Sequence, residues 1–150
     1  MDRRLVAAAE RIAIVSSFGA GRRVLIVDDD AGIRLLLVTF LRRYGFQTRQ
    51  ARNGREALDE MRAGNADVVI MDLTMPEMSG WDVLRERAHD LSLLRIPIIV
   101  LTAMNRNQVT AGVAGKRVSA VLGKPFDLDT LLMAVTSSLD HTDVPAPLAA

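Results

Sequence analysis

Short apolar runs alternate along the chain with segments whose apolar residues recur at helical spacing. An apolar run that is rich in β-branched residues and bounded by polar ones is typical of a strand buried on both faces of a parallel sheet. The predicted strands are residues 23–27, 46–51, 68–71, 98–101 and 118–122. The second of them is more polar than the others, which is typical of a strand at the edge of a sheet.

Strand and helix signals alternate five times along the sequence. This alternation predicts an α/β fold, a doubly wound five-stranded parallel sheet with helices on both faces and right-handed crossovers. Because the second strand is edge-like, we expect the strand order 2-1-3-4-5. Strands one and three are then neighbours where the strand order reverses, and their carboxyl ends form one crevice.

The first predicted helix follows Asp30, its expected N-cap, and Gly45 is its expected C-cap. Further helices are predicted over residues 56–62, from residue 79 or 80 onward, over 105–115, and after the N-cap Asp127. The inner face of the first helix is expected to consist of Ile33, Leu36, Leu37, Phe40 and Leu41. That of the third helix is expected to consist of Trp81, Leu84 and Ala88, and that of the last helix of Leu128, Leu131, Leu132, Val135 and Leu139.

A chain of 150 residues is long enough for one domain with a proper core. The expected organisation is an N-terminal extension over residues 1–22, helical or disordered, a compact domain over 23–140 and a flexible tail over 141–150. Residues 5–15 are rich in alanine and predict a short helix. A signal peptide is disfavoured, because Glu10 and Arg11 interrupt its apolar core. No repeat or second domain is expected.

Composition narrows the function classes. The 19 lysines and arginines nearly balance the 18 acidic residues, so no overall field favours direct binding to nucleic acid or to acidic lipid. No apolar run approaches the length of a membrane span. The absence of cysteine excludes disulfides and thiolate metal sites and suits a cytoplasmic location. Two histidines leave little material for a zinc site or a Ser-His-Asp triad.

Polar side chains terminate the predicted strands. Asp28 and Asp29 follow the first strand, Asp72 the third, Thr102 the fourth and Lys124 the fifth. Three carboxylates in one crevice repel one another unless a cation intervenes. Mg²⁺ suits such a site, because it binds a few carboxylates and completes its octahedron with water and phosphoryl oxygens. The set therefore predicts a pocket for a phosphoryl group, with Asp72 as the nucleophile.

Four segments carry a family resemblance, residues 24–30, 71–80, 101–103 and 123–126. Because these segments occur in this order and on these predicted elements, the chain resembles the receiver domain of two-component response regulators, in particular the chemotaxis-regulator type. The resemblance spans residues 23–139 and implies a flavodoxin-like fold. It also implies a signalling domain, not an enzyme beyond its own phosphorylation and dephosphorylation. The implied partners are a sensor histidine kinase or histidine-phosphotransfer protein and a downstream protein target.

The resemblance also assigns roles to the residues at the strand ends. It implies Asp72 as the phosphoacceptor, Asp28 and Asp29 as the acidic pair that holds Mg²⁺, the backbone carbonyl of Thr74 as a further metal ligand, and Thr102 and Lys124 as contacts of the phosphoryl group. The peptide bond between Lys124 and Pro125 is expected to be cis, as it commonly is in the family.

One position departs from the family pattern. An aromatic residue usually stands three positions before the lysine, and here that position is Val121. A β-branched aliphatic side chain has no ring to bury or expose as the threonine moves. We therefore expect the face around the fourth helix, the fifth strand and the last helix to signal differently from that of other family members.

Several alternatives stay open. The leading hypothesis is a stand-alone receiver that signals by phosphorylation-dependent protein binding, and a phosphorelay intermediate or a receiver fragment of a longer regulator are variants of it. A distant alternative is a haloacid-dehalogenase-type phosphohydrolase, because Asp28-x-Asp30 is similar to the nucleophile and acid/base motif of that family. That reading leaves no role for Asp72. A dinucleotide site is disfavoured, because the glycines at 19–21 precede the first strand instead of following it.

Overall fold

The computed structural model describes residues 2–7 and 19–142, with only the backbone of 141 and 142. Its centre is a five-stranded parallel sheet in the order β2-β1-β3-β4-β5, which confirms the predicted topology. The strands are β1 (Arg23–Val27), β2 (Gln47–Ala51), β3 (Val68–Asp72), β4 (Ile98–Thr102) and β5 (Ala120–Gly123). Most of β2 is exposed, whereas β3 and β4 are buried throughout, as their patterns predict.

Between the first strand and residue 142 the structure has six helices, α1 (Ala31–Arg42), α2 (Gly54–Arg62), α3 (Gly80–Arg87), α4 (Leu91–Leu94), α5 (Arg106–Gly112) and α6 (Leu128–Thr142). Residues 3–7 are also helical, and the rest of the helix predicted over 5–15 lies outside the described residues. The single turn α4 was not predicted, since four residues are too few for a helical period. Within the described ranges, no helix has the length and apolar character of a membrane span.

The core forms one layer on each side of the sheet. Alternate residues of the central strands point to opposite faces, so Val24 and Ile26 pack with α1 and α6 while Leu25 and Val27 pack with α2, α3, α4 and α5. Helices on both faces are therefore confirmed.

Three details of the predicted helices are wrong. Leu36 is 48% exposed, and the inner face of α1 is instead made by Leu37, Val38 and Leu41, because the helix is rotated relative to the predicted stripe. The helix ends at Arg42 with Arg43 as its C-cap, and Gly45 lies in the following turn with φ +87°. On α3, Ala88 is exposed.

The residue buried in place of Ala88 is Arg87, which is 1% exposed. Its guanidinium donates to the backbone carbonyls of Leu93, Leu94, Ile96, Lys116 and Arg117. Within the described part of the chain it forms no ion pair with a carboxylate. Arg87 therefore ties the end of α3 to α4 and to the turn between α5 and β5.

A close approach fixes the start of α3 against the end of β3. The amide of Gly80 donates to the carbonyl of Leu73 at 3.0 Å. A Cβ added at Gly80 would lie 2.5 Å from the Asp72 carbonyl oxygen and 2.8 Å from Leu73 Cα. Both are backbone atoms that cannot move aside cheaply, so only glycine fits this position.

We expect Gly80→Ala to lower the free energy of unfolding by about 1 to 3 kcal/mol, the range for overpacking a filled site. Urea denaturation measures the change. Gly123→Ala is the matched control, because a Cβ at Gly123 meets nothing within 4 Å, and it is expected to change stability little. Equal stability of the two variants would contradict the close approach.

Candidate functional site

The acidic residues predicted at the strand ends lie together. Val27 of β1 pairs with Met71 of β3, so the residues that follow them emerge side by side at the carboxyl edge of the sheet. Asp28, Asp29 and Asp72 each offer a carboxylate oxygen, and the three oxygens lie within 4.8 Å of one another. Asp28 and Asp72 are 2% and 7% exposed, and Asp29 is exposed to solvent.

Backbone hydrogen bonds orient the two buried carboxylates. Asp28 Oδ1 accepts from the amide of Asp30 at 2.9 Å, and Asp72 Oδ1 accepts from the amide of Thr74 at 3.2 Å. The side chain of Asp30 caps α1 by accepting from the amides of Gly32 and Ile33, as the sequence predicts. Asp30 is thereby directed into the helix end and does not belong to the acidic cluster.

Arg34 is a supporting residue that the sequence analysis missed. Its guanidinium donates to the backbone carbonyl of Asp28 at 2.7 Å and to Gln50 Oε1 at 3.0 Å. These contacts tie the end of β1 to the neighbouring strand β2. A lone arginine in an amphipathic helix carries no local signal of such a role, since it depends on how the helix packs.

Lys124 joins the acidic cluster from the far strand. Its Nζ lies 2.8 Å from Asp28 Oδ2 and 3.3 Å from Asp72 Oδ2, and its side chain is largely buried. The amide of Lys124 donates to the carbonyl of Thr102 at 2.7 Å, which holds the chain after β5 beside the end of β4. The bond between Lys124 and Pro125 is cis, as expected.

Burial and the mutual contacts of the charged groups set the pKa values of Asp72 and Lys124. Burial raises the pKa of Asp72 and the charge of Asp28 adds to the rise, which the amide of Thr74 and the charge of Lys124 only partly offset. For Lys124, burial acts to lower the pKa, but the contacts with Asp28 and Asp72 outweigh it and the pKa is raised. Lys124 therefore stays charged between two acids.

Thr102 lies at the same edge of the sheet, at the end of β4. It is buried, and its hydroxyl oxygen accepts from the amide of Met104 at 3.0 Å. Among residues 2–7 and 19–142, Thr102 makes no hydrogen bond to the acidic cluster. The structure thus brings Asp28, Asp29, Asp72 and Lys124 into one group and leaves Thr102 beside it.

Val121 lies half-buried in the core layer that also contains Trp81. The ring of Trp81 approaches α5 so closely that a Cβ at Gly112 would lie 2.9 Å from Cη2. In this core layer the aromatic ring belongs to Trp81 of α3, whereas β5 contributes the aliphatic side chain of Val121.

The donor set fits a hard divalent cation. Two buried carboxylates and one exposed carboxylate converge, and oxygen ligands of this kind suit Mg²⁺. The charge of one lysine is smaller than that of three ionised acids, so a bound cation would offset the remaining negative charge. An open parallel sheet of this strand order defines the doubly wound α/β proteins, which bind their ligands in the crevice at the switch point, where the three acids lie.

Comparison with known proteins identifies the family. Residues 24–136 match the model of the response regulator receiver domain. The chain is 36% identical to the protein PilH of Pseudomonas aeruginosa over 119 residues, 78% of this chain and 97% of PilH. It is 42% identical to the regulatory protein AtoC of Escherichia coli over 120 residues, 78% of this chain but 25% of AtoC. The chain thus spans only a quarter of that relative.

A solved structure agrees with the sequence comparisons. The receiver domain of the Francisella response regulator 1452 superposes with a TM-score of 0.75 at 28% identity, covering 82% of this chain and all of that one. The chain belongs to the response regulator receiver domain family of two-component signalling. Receiver domains are signalling domains that bind Mg²⁺ in an acidic pocket, and Asp28, Asp29 and Asp72 form an acidic pocket at the corresponding edge of the sheet.

Proposed function

We propose that the chain accepts a phosphoryl group on Asp72 from a phosphohistidine and signals by phosphorylation-dependent binding to another protein. The observation that carries the proposal is the convergence of three carboxylates with Lys124 between two of them. The domain that does this comprises residues 23–140, and its donor is a sensor histidine kinase or a histidine-phosphotransfer protein. Such donors use phosphohistidine inside the cell, so we propose a cytoplasmic location.

Asp72 is the nucleophile of the proposed transfer. One of its carboxylate oxygens forms a bond to phosphorus while the bond between phosphorus and the donor imidazole nitrogen breaks, and the electron pair stays on that nitrogen. The amide of Thr74 holds the other oxygen, so the attacking atom is presented in a fixed orientation.

Mg²⁺, held by Asp28, Asp29, Asp72 and the backbone carbonyl of Thr74, would supply the positive charge that neutralises the phosphoryl oxygens. Lys124 supplies a second positive charge. Its ammonium contacts both Asp28 and Asp72. It therefore lies close enough to Asp72 to contact and neutralise an oxygen of a phosphoryl group bound there.

Thr102 provides the link from chemistry to signal. Its hydroxyl oxygen accepts from the amide of Met104, so a movement of the side chain towards a phosphoryl oxygen would stretch or break that hydrogen bond. Phosphorylation would therefore bias the loop after β4 between two arrangements. Because Val121 has no ring, the proposed output face around α5, β5 and α6 does not depend on a rotating aromatic at that position.

The haloacid-dehalogenase-type alternative is not supported. It needs Asp30 as an acid or base facing the substrate, but that side chain caps α1. A phosphorelay intermediate remains a variant of the proposal. Following labelled phosphate from the phosphorylated protein onto candidate histidine-phosphotransfer proteins distinguishes the two, since onward transfer is expected only of a relay.

The proposal is tested by incubating the protein with Mg²⁺ and acetyl phosphate and measuring the intact mass. A single phosphoryl adduct, lost when Mg²⁺ is chelated beforehand, is expected. A protein that stays unmodified under these conditions and with phosphorylated kinase would contradict the proposed function.

Mg²⁺ alone is expected to raise the melting temperature. A ligand present at about one hundred times its dissociation constant stabilises the folded state by about 2.7 kcal/mol. Asp29→Asn should abolish most of this response while folding normally, because the side chain is exposed. Asp59→Asn, an exposed aspartate on α2, is the control and should respond like the wild type. Equal responses of the two variants would remove Asp29 from the metal site.

A further inference from the structure

The loop over residues 73–79 joins β3 to α3 and carries Thr74, whose carbonyl is proposed to bind Mg²⁺. This loop is braced by the turn between β2 and α2, which is remote in sequence. Asn53 Nδ2 donates to Glu77 Oε2 at 2.9 Å, and the amide of Gly54 donates to the carbonyl of Met78 at 2.8 Å. The loop is thus held at two successive residues.

The orientation of the Asn53 amide is set by its second role. Asn53 is the N-cap of α2, and its Oδ1 accepts from the amide of Glu56 at 2.9 Å. Because the oxygen is engaged by the helix, the NH₂ group is directed at Glu77. One side chain therefore connects the start of a rigid helix to the tip of the loop.

The loop conformation at this contact is one that needs support. Glu77 has φ +67°, in the left-handed region that side chains other than glycine occupy at an energetic cost. The turn is also in tight contact with the loop, since a Cβ at Gly54 would lie 2.8 Å from both Cγ and the carbonyl oxygen of Met78. The Asn53–Glu77 hydrogen bond and the contacts of Gly54 stabilise this arrangement.

The braced loop adjoins the acidic cluster. Asn53 and Glu77 line a cavity of about 260 Å³ together with Asp29, Arg52 and Pro76. Arg52 is paired with Glu56 at 2.9 Å, and the hydrogen bond between Asn53 and Glu77 directly joins two residues of the same cavity wall. Loss of the hydrogen bond between Asn53 and Glu77 would therefore alter both the loop conformation and the cavity that contains Asp29.

We infer that Asn53 is a positioning residue, which through Glu77 holds the loop so that the Thr74 carbonyl faces the Mg²⁺ site. This inference rests on the proposed function. Supporting contacts around metal ligands commonly contribute tenfold or more to metal affinity. Asn53 therefore sets the Mg²⁺ affinity and the rate of phosphorylation without touching the metal or the phosphoryl group.

The test exchanges the hydrogen-bonding groups of the pair. Asn53→Asp keeps the oxygen that caps α2 but replaces the donor with a carboxylate that repels Glu77. Glu77→Gln keeps an acceptor for Asn53 and removes one charge. In the double variant the glutamine can donate to the aspartate, so the bond is restored in the opposite direction at the wild-type net charge.

We expect Asn53→Asp to weaken Mg²⁺ binding roughly tenfold, measured by calorimetry. Its added negative charge alone would strengthen binding, so electrostatics cannot produce the loss. In metal-free protein, the amides of residues 77–79 should exchange with solvent faster in this variant. Glu77→Gln and the double variant should exchange like the wild type, and the double variant should recover most of the affinity.

Unchanged affinity and exchange in Asn53→Asp would overturn the inference and leave the proposed function standing, provided that the wild type binds Mg²⁺ and takes up a phosphoryl group. A wild type that does neither would overturn both. If Asn53→Asp fails to fold, Asn53→Ser gives the same comparison, because serine caps a helix but is shorter and lacks the NH₂ group that donates to Glu77.

Discussion

Replacement of Asp72 by asparagine is expected to abolish phosphoryl uptake. The side-chain amide has no anionic oxygen to attack phosphorus, so the proposed covalent bond cannot form at this position. With Mg²⁺ and acetyl phosphate, the rate should fall by at least about a thousandfold, since covalent chemistry is lost entirely. Intact mass measured over time gives the rate.

The matched control for this experiment is Asp30→Asn. Asparagine also caps helices well, and Asp30 lies outside the cluster, so this variant should take up the phosphoryl group like the wild type. An adduct of equal yield on Asp72→Asn would place the phosphoryl group on another residue and refute the proposed acceptor.

The stability of Asp72→Asn gives an independent check that the variant is folded. Because the folded pKa of Asp72 is raised, its ionisation destabilises the metal-free protein as the pH rises through that pKa. The asparagine variant lacks this effect. Its advantage in free energy of unfolding should therefore grow as the pH rises and should vanish below the ordinary aspartate pKa of about 4.

Truncation of Arg87 is expected to cause the largest loss of stability. Arg87→Ala removes the guanidinium donor from five backbone carbonyls at a position that is 1% exposed, and of these the Leu93 carbonyl keeps the amide of Ile96 as a donor. A buried polar group without a partner costs about 1 to 3 kcal/mol, and some of the carbonyls will reach water. We expect the free energy of unfolding to fall by about 3 to 5 kcal/mol, as measured by urea denaturation.

Two control variants separate the hydrogen bonds of the Arg87 guanidinium from its charge and from its location. Arg87→Lys keeps the positive charge but presents its donors from one nitrogen, so it should recover only part of the loss. Arg95→Ala removes an exposed arginine from the same region and should change stability by less than about 0.5 kcal/mol. A loss below about 1 kcal/mol in Arg87→Ala would mean that water replaces the guanidinium without difficulty.

Much of the fold could be predicted because its signals are local. The buried strands are short apolar runs, and the caps Asp30 and Asp127 sit immediately before helical periodicity. The strand order followed from one further observation, the polar character of residues 47–51. Errors occurred where a helix has apolar residues on more than one side, as with Leu36 and Val38, since only packing decides which of them is buried.

The sequence predicted which residues form the candidate site, but it did not predict the contacts that support them. Topology alone requires that Asp28, Asp29 and Asp72 meet, because residues at the carboxyl ends of adjacent parallel strands share one edge. The roles of Arg34 and Asn53 could not be found in this way. Asn53 stands before the helix predicted over residues 56–62 with no local signal of this role, and its bond to Glu77 spans 24 positions.

The sequence by itself determined the parallel sheet, its strand order and the acidic edge, because hydrophobic periodicity and strand connectivity leave few other arrangements. Only the tertiary structure decided that Lys124 lies between two acids 52 and 96 positions away, that Arg87 is buried, and that Thr102 faces Met104. Such contacts depend on side-chain directions in packed elements, and these directions are set by the whole fold.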